Sequence, residues 1–145
     1  MIVKILNNNS HFMTLVQNPF GNYAIQTTIE CIPAEELSEI FNILLKNVLA
    51  LSIQKFSSNV IEKCLDFCND YFKEQFVIQI TMPDVMKSLI KNTYGFYVIQ
   101  KLLQIHKERE DLTFKICMEV ENNLQYISEK GLWQKWVGLL KVSEK

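Results

Sequence analysis

Glycine and proline are scarce, at four and three in 145 residues, and no segment is of low complexity. Long disordered tracts need more of such residues, so their absence points to a folded chain. No apolar run reaches the length that spans a bilayer. The segment Met1–Leu6 is too short for a secretory core and has no cleavage site. Charge of one sign is also missing. The formal net charge is −1 and the pI about 6.1, where domains held by phosphate attraction are usually basic. Any nucleic-acid binding must then come mainly from base contacts and stacking. Cys31, Cys64, Cys68 and Cys117 include one close pair, but a zinc site would need a second. They read as small buried apolar residues of a reducing compartment, which with the missing leader suggests the cytosol or nucleus. Neither His11 nor His106 has a nucleophile or carboxylate at a motif spacing, and there is no Gly-rich phosphate loop. No catalytic residue, metal or cofactor is expected, and no membrane partner.

What is present is organised around Phe56–Leu65. Phe56, Val60, Ile61, Cys64 and Leu65 recur at three- and four-residue steps, making one apolar helical stripe. Ser58, Asn59 and Glu62 fall on another side, where their tips can converge. A hydroxyl, an amide and a carboxylate together form a compact hydrogen-bonding site.

The pattern occurs twice more. Phe20, Phe56 and Tyr94 align, as do Ala24, Val60 and Val98; Ile25, Ile61 and Ile99; and Ile29, Leu65 and Leu103. The polar triplets align with them: Asn22, Tyr23 and Gln26; Ser58, Asn59 and Glu62; Phe96, Tyr97 and Gln100. Intervals of 36 and 38 residues between Phe20, Phe56 and Tyr94 signal a stacked repeat array, each unit burying its apolar face on the next.

Each repeat reads as three helices. Residues 10–46 carry Phe12, Leu15 and Val16 on a short helix. A site-bearing helix over 20–31 follows, and then a long one that Pro33 opens, with Leu37, Ile40, Phe41, Leu44 and Leu45. Residues 47–82 repeat this with Val48 and Leu51, then a helix to about Phe67, then Phe72, Phe76, Val77 and Ile80 after a turn at Asn69-Asp70. Residues 83–123 carry Met86, Leu89 and Ile90, then a helix to about His106. A charged turn at 107–111 precedes Leu112, Ile116, Cys117 and Val120. Residues 124–145 read as a degraded fourth unit acting as a cap. Leu124 and Ile127 form its short helix, Trp136, Val137 and Leu140 its second, and Gln134, Lys135 and Gly138 stand at the triplet positions. Residues 1–9, with Ile2, Val3, Ile5 and Leu6, read as the end of a preceding unit. That leaves an uncapped apolar face, which with Phe12 could drive self-association.

These repeats resemble the Pumilio/PUF family over about Phe12 to Leu140. The likeness rests on the period and on three motifs: Gly21-Asn22-Tyr23-Ala24-Ile25-Gln26, Ser58-Asn59-Val60-Ile61-Glu62 and Gly95-Phe96-Tyr97-Val98-Ile99-Gln100. The resemblance implies an all-α, right-handed superhelical solenoid of three-helix, armadillo-like repeats. It implies one RNA base per repeat, with two side chains on the base edge and one stacking, and repeats antiparallel to the RNA. The triplets would line one concave face. Glu62 can accept from guanine N1–H and N2–H, with Ser58 a small second contact; Asn22 and Gln26 suit uracil's mixed edge. Tyr23 and Tyr97 offer rings for stacking, and Asn59 a smaller plane. Phe96 departs from the family pattern. It lacks a polar group, so Gln100 reads alone, and the ring either meets a neighbouring base or turns away. On the first alternative Phe96→Asn would sharpen uracil preference.

The expected partner is thus single-stranded RNA with a 5′-UGU-3′ core, in messenger-RNA 3′ untranslated regions. Deadenylase or translation-repressor proteins and a cytoplasmic location accompany that reading. The other reading of such a solenoid is a protein-interaction scaffold of armadillo or HEAT type, which needs no row of base-reading triplets.

Overall fold

In the computed structural model, residues 9–143 are described, and among them every regular element is helical. Ten α-helices follow in order: α1 (Asn9–Val16), α2 (Gly21–Cys31), α3 (Ser38–Lys46), α4 (Val48–Ser52), α5 (Ser57–Phe67), α6 (Asp70–Ile80), α7 (Pro83–Leu89), α8 (Thr93–Ile105), α9 (Glu110–Asn123) and α10 (Lys130–Ser143). Helices α2, α5 and α8 stand side by side, and α10 packs against α8 and α9. The chain is an all-α repeat solenoid whose site-bearing helices form one layer.

The repeat columns set the core. Ile25, Ile61 and Ile99 are buried, and so are Ile29, Leu65 and Leu103. Val60 and Val98 are buried where Ala24 is exposed. Helices α5 and α8 each have a site-bearing helix before them, and α2 has none among the described residues. Three expected core features differ. Cys64 and Cys68 are buried as expected, but Cys31, at the end of α2, is exposed and Cys117 is half-buried. The column Phe20, Phe56, Tyr94 is not core: Phe20 is 83% exposed, Tyr94 is exposed and Phe56 half-buried. These residues precede or open the first turn, where no earlier turn covers them. Phe12, expected on an open end face, is fully buried. Ile2, Val3, Ile5 and Leu6 lie outside the described residues.

Two boundaries also shift. Pro33 is extended (φ −56°, ψ 140°) and leads into a 3₁₀ turn at Ala34–Glu36, so α3 begins only at Ser38. The fourth unit has no short α-helix; Leu124–Tyr126 is a single 3₁₀ turn. Glu129 then starts α10 by accepting from Gly131 N (2.8 Å) and Leu132 N (2.6 Å). A carboxylate at that point satisfies orphan amides and favours the helix dipole.

An amide column caps each site-bearing helix and ties the second and third repeats to the one before. Asn18 Oδ1 accepts from Phe20 N and Gly21 N, Gln54 Oε1 from Phe56 N and Ser57 N, and Asn92 Oδ1 from Tyr94 N and Gly95 N. The other end of the amide reaches back. Gln54 Nε2 donates to Gln17 O and Asn92 Nδ2 to Ile53 O, both at 3.3 Å. One side chain therefore caps a site-bearing helix and fixes its register on the preceding unit.

Close approach of the short and site-bearing helices explains Gly21 and Gly95. A Cβ at Gly95 would lie 2.4 Å from Leu89 O, and one at Gly21 would lie 2.5 Å from Leu15 O. The second repeat has Ser57 there, and its Oγ donates to the equivalent Leu51 O at 2.7 Å. In an ordinary helix Gly→Ala stabilises by about 0.5–1 kcal/mol. Gly95→Ala should instead cost about 1–3 kcal/mol, because the neighbouring backbone must move. Urea unfolding measures this, and a more stable variant would contradict the close packing.

His106 ends α8 and is buried. Its Nδ1 lies 2.8 Å from Leu102 O, and Nε2 is buried with no hydrogen-bond partner among the described residues. Burial first, then the nearby Lys73 and Arg109, hold its pKa below the ordinary 6.5. The unfolded chain therefore binds a proton at His106 more readily than the folded one. Stability from this group is full above pH 6.5 and falls as pH drops below it. The urea midpoint should decline from pH 7 to pH 5, and less so in His106→Asn; equal declines would contradict this.

Candidate nucleic-acid interface

The three triplets occupy equivalent places in the first two turns of α2, α5 and α8. Their three members do different things. The middle residue points outward at each repeat: Tyr23 is 63% exposed, Tyr97 is 41% exposed, and Asn59 is exposed. The first residue is buried in each: Asn22, Ser58 and Phe96. The last lies between, with Gln26 and Glu62 half-buried and Gln100 exposed.

Asn22 is closed onto the turn that leads into its helix. Its Nδ2 donates to Asn18 O (2.8 Å) and Pro19 O (3.0 Å), and its Oδ1 accepts from Gln26 Nε2 at 2.9 Å. Gln26 is thereby oriented, and its amide still has a carbonyl oxygen and a second N–H to offer. Ser58 behaves alike, with Oγ donating to Lys55 O at 3.2 Å. Asn59 Nδ2 reaches the same carbonyl at 3.4 Å, which holds its amide plane near the helix start.

Tyr23, Gln26, Asn59 and Glu62 line one shallow groove of about 400 Å³, together with Lys63, Asp66 and Lys101. The first two triplets are thus brought together on one surface. Burial raises the Glu62 carboxyl above its ordinary pKa, Lys101 pulls it down, and Asp66 pushes it up.

The third triplet is arranged differently. Phe96 turns into the junction with the cap, edge-on to Trp136 (ring centroids 5.0 Å) and to Tyr97 (5.3 Å). Trp136 is fully buried and donates from Nε1 to Ile90 O at 2.9 Å. Of the two alternatives for the Phe96 ring, the structure places it away from the open surface. Gln100 lines a separate groove, with Leu103, Gln104 and Lys107 of its own segment and Leu139, Val142 and Ser143 of α10. Lys135, at a triplet position of the cap, lies 5.5 Å from the Tyr97 ring centroid.

A ladder of ion pairs runs beside the triplets. Lys63 of α5 pairs with Glu30 of α2, and Lys101 of α8 with Asp66 of α5, the latter at 3.1 Å. Triplet reasoning sets Lys63 beside Glu62 as a solvated charge pair and misses these pairings between repeats. They were legible in the same register, since Glu30 and Asp66 each stand four places after Gln26 and Glu62, and Lys63 and Lys101 one place after Glu62 and Gln100.

The sequence profile described as PUF, Pumilio-family RNA binding repeat, matches residues 11–45, 47–81 and 87–105, more than half of the chain. This chain belongs to the Pumilio (PUF) family. The three matched segments are those that carry the three triplets. A Pumilio domain-containing protein of Schizosaccharomyces pombe is 37% identical over 108 residues, 73% of this chain and 16% of that protein. Pumilio homolog 11 of Arabidopsis thaliana is 31% identical over 143 residues, 92% of this chain and 24% of that protein. The Pumilio chain here thus spans about a sixth to a quarter of the length of these relatives. Among solved structures, PUF-8 in complex with PBE-RNA superposes with a TM-score of 0.84 at 23% identity, covering 99% of this chain and 42% of that one. The Puf4 RNA binding domain bound to the HO endonuclease RNA 3′ UTR recognition sequence superposes at 0.76 with 28% identity, covering 95% and 44%. PUF proteins are binding repeats, not enzymes.

Proposed function

We propose that the chain binds single-stranded RNA through the outward edges of α2, α5 and α8, taking one base per repeat with a 5′-UGU-3′ preference. The observation that carries this reading is the shared groove, in which the exposed Tyr23 ring, the Gln26 and Asn59 amides and the Glu62 carboxylate line the same space. Base stacking on aromatic side chains contributes about 1–3 kcal/mol per base and tolerates any sequence. Edge contacts then discriminate. Glu62 accepts from guanine N1–H and N2–H, a donor pair no other standard base presents. Gln26, held by Asn22, presents a donor and an acceptor to uracil. At the third site Tyr97 stacks and Gln100 reads alone, so uracil is preferred weakly and cytosine is partly tolerated.

On the same reading the targets lie in messenger-RNA 3′ untranslated regions, and deadenylase or translation-repressor proteins act on the bound message in the cytoplasm. Similar proteins are solved with such RNA: Puf3 is bound to a Cox17 RNA 3′ UTR recognition sequence.

Selection of bound sequences from a random RNA pool tests the reading. Enrichment of UGU is the expected result. With three bases and a few net hydrogen bonds of about 1 kcal/mol each, offset by ordering the strand, affinity should be roughly millimolar to micromolar. A pool that stays unenriched would contradict the proposal and favour a protein-interaction scaffold.

A further inference from the structure

The surroundings of Glu62 contain a charge arrangement that base reading alone does not require. Asp66 stands one turn further along α5, at the spacing where like charges oppose each other. The cation available to this pair comes from the next repeat, where Lys101 of α8 has its Nζ 3.1 Å from Asp66 Oδ2 and lines the same groove as Glu62. Lys63, adjacent to Glu62 in sequence, is engaged with Glu30 of α2. The groups around Glu62 are therefore Tyr23 and Glu30 on α2, Lys63 and Asp66 on α5, and Lys101 on α8.

We propose that Lys101 is a specificity-determining positioning residue. By holding the Glu62 carboxyl ionised, the third repeat's lysine fixes the guanine preference of the second repeat. The inference rests on Glu62 being the guanine reader. An ionised carboxyl is acceptor-only and matches guanine's two donors. A protonated one presents one donor and one acceptor, the pattern of an amide. Protonated Glu62 thus imitates Gln26, and its site drifts from guanine toward uracil. Half-burial favours that protonated form and so does Asp66, while Lys101 opposes both.

The same ion pair also joins α5 to α8, so a purely structural tie must be separated from electrostatic tuning. Lys101→Met and Asp66→Asn both break the tie, but they change the charge near Glu62 in opposite senses. The experiment measures the guanine-over-uracil ratio at the second site from pH 4 to pH 8, a range that spans the ordinary carboxyl value and the region above it, for the parent, Lys101→Met, Asp66→Asn and Lys101→Arg. The Glu62 carboxyl is titrated by carbon-detected NMR in the RNA-free proteins. Guanine preference should fall with decreasing pH in the parent. The midpoint should move up in Lys101→Met, down in Asp66→Asn, and stay at the parent value in Lys101→Arg. Near the parent midpoint, Lys101→Met should lose about threefold of the ratio, the size expected of one partly screened charge interaction.

Shifts of one sign in both variants, or none in either, overturn the role of Lys101 while leaving Glu62 as reader. A Glu62→Gln protein that keeps the parent's guanine preference overturns the reading of Glu62 itself, and the role of Lys101 with it.

Discussion

A Phe96→Asn protein is expected to be about 3 kcal/mol less stable than the parent and to bind UGU-containing RNA no more tightly. Repeat logic alone argues the reverse, because Asn22 stands at this position beside Gln26 and the change would restore the pair beside Gln100. Packing decides against it. Phe96 is buried and edge-on to both Trp136 and Tyr97. Truncating a buried Phe typically costs about 3–5 kcal/mol through lost burial and the cavity left behind. Asn refills part of that space. Its amide could also find the carbonyls of Asn92 and Thr93, the repeat equivalents of Asn18 and Pro19, which hold Asn22. The lost contact with Trp136 is not replaced, so the cap loosens beside Tyr97 and Gln100. For a chain of this size the melting temperature should fall by roughly 6–12 °C. Thermal unfolding and RNA titration measure both consequences. Unchanged stability with tighter uracil binding would show that Phe96 belongs to the base site.

The case of Phe96 shows where sequence reasoning stopped. Helical periodicity finds columns that lie in the middle of a helix. Ile25, Ile61 and Ile99 are core in all three repeats because each is flanked by a full turn on both sides. Phe20 obeys the same spacing, yet it sits at the point where the chain enters α2, and the stripe does not extend to it. The outward Tyr23, Asn59 and Tyr97 were legible because their positions follow from the helix angle. The inward closure of Asn22 was not, since it depends on carbonyls of the preceding turn at Asn18 and Pro19. The partner of Phe96 was also hidden. Trp136 lies forty positions away, in a unit whose short helix is reduced to a 3₁₀ turn. The ion-pair ladder was readable as two columns of opposite charge, but only once the register of adjacent repeats was taken as contact rather than as resemblance.

On the proposed reading the last triplet residue selects the base, and the first sets its orientation and the room beside it. Ser58 and Glu62 are its sharpest case, because a carboxylate replaced by an amide changes hydrogen-bond polarity while keeping size. On the proposed reading Glu62 accepts two N–H groups from guanine, while Ser58, whose Oγ donates to Lys55 O, is small enough to leave room for the larger base. With Ser58→Asn and Glu62→Gln together, the second repeat acquires the pair found in the first, Asn22 and Gln26. The carboxylate that guanine needs is gone, and the new amide offers uracil both a donor and an acceptor. A well-placed two-point base contact is worth about 1–3 kcal/mol of discrimination, so the preference should swing by tenfold or more in all. Ser58 is buried, so Asn must settle as Asn22 does, against the carbonyls of Gln54 and Lys55 at the helix start. Circular dichroism on the double variant verifies that the helices remain. The measurement is competition binding of parent and double variant to RNAs that differ only at the central base of the triplet. The expected result is guanine over uracil for the parent and uracil over guanine for the double variant; a double variant that still prefers guanine would contradict base selection by Glu62.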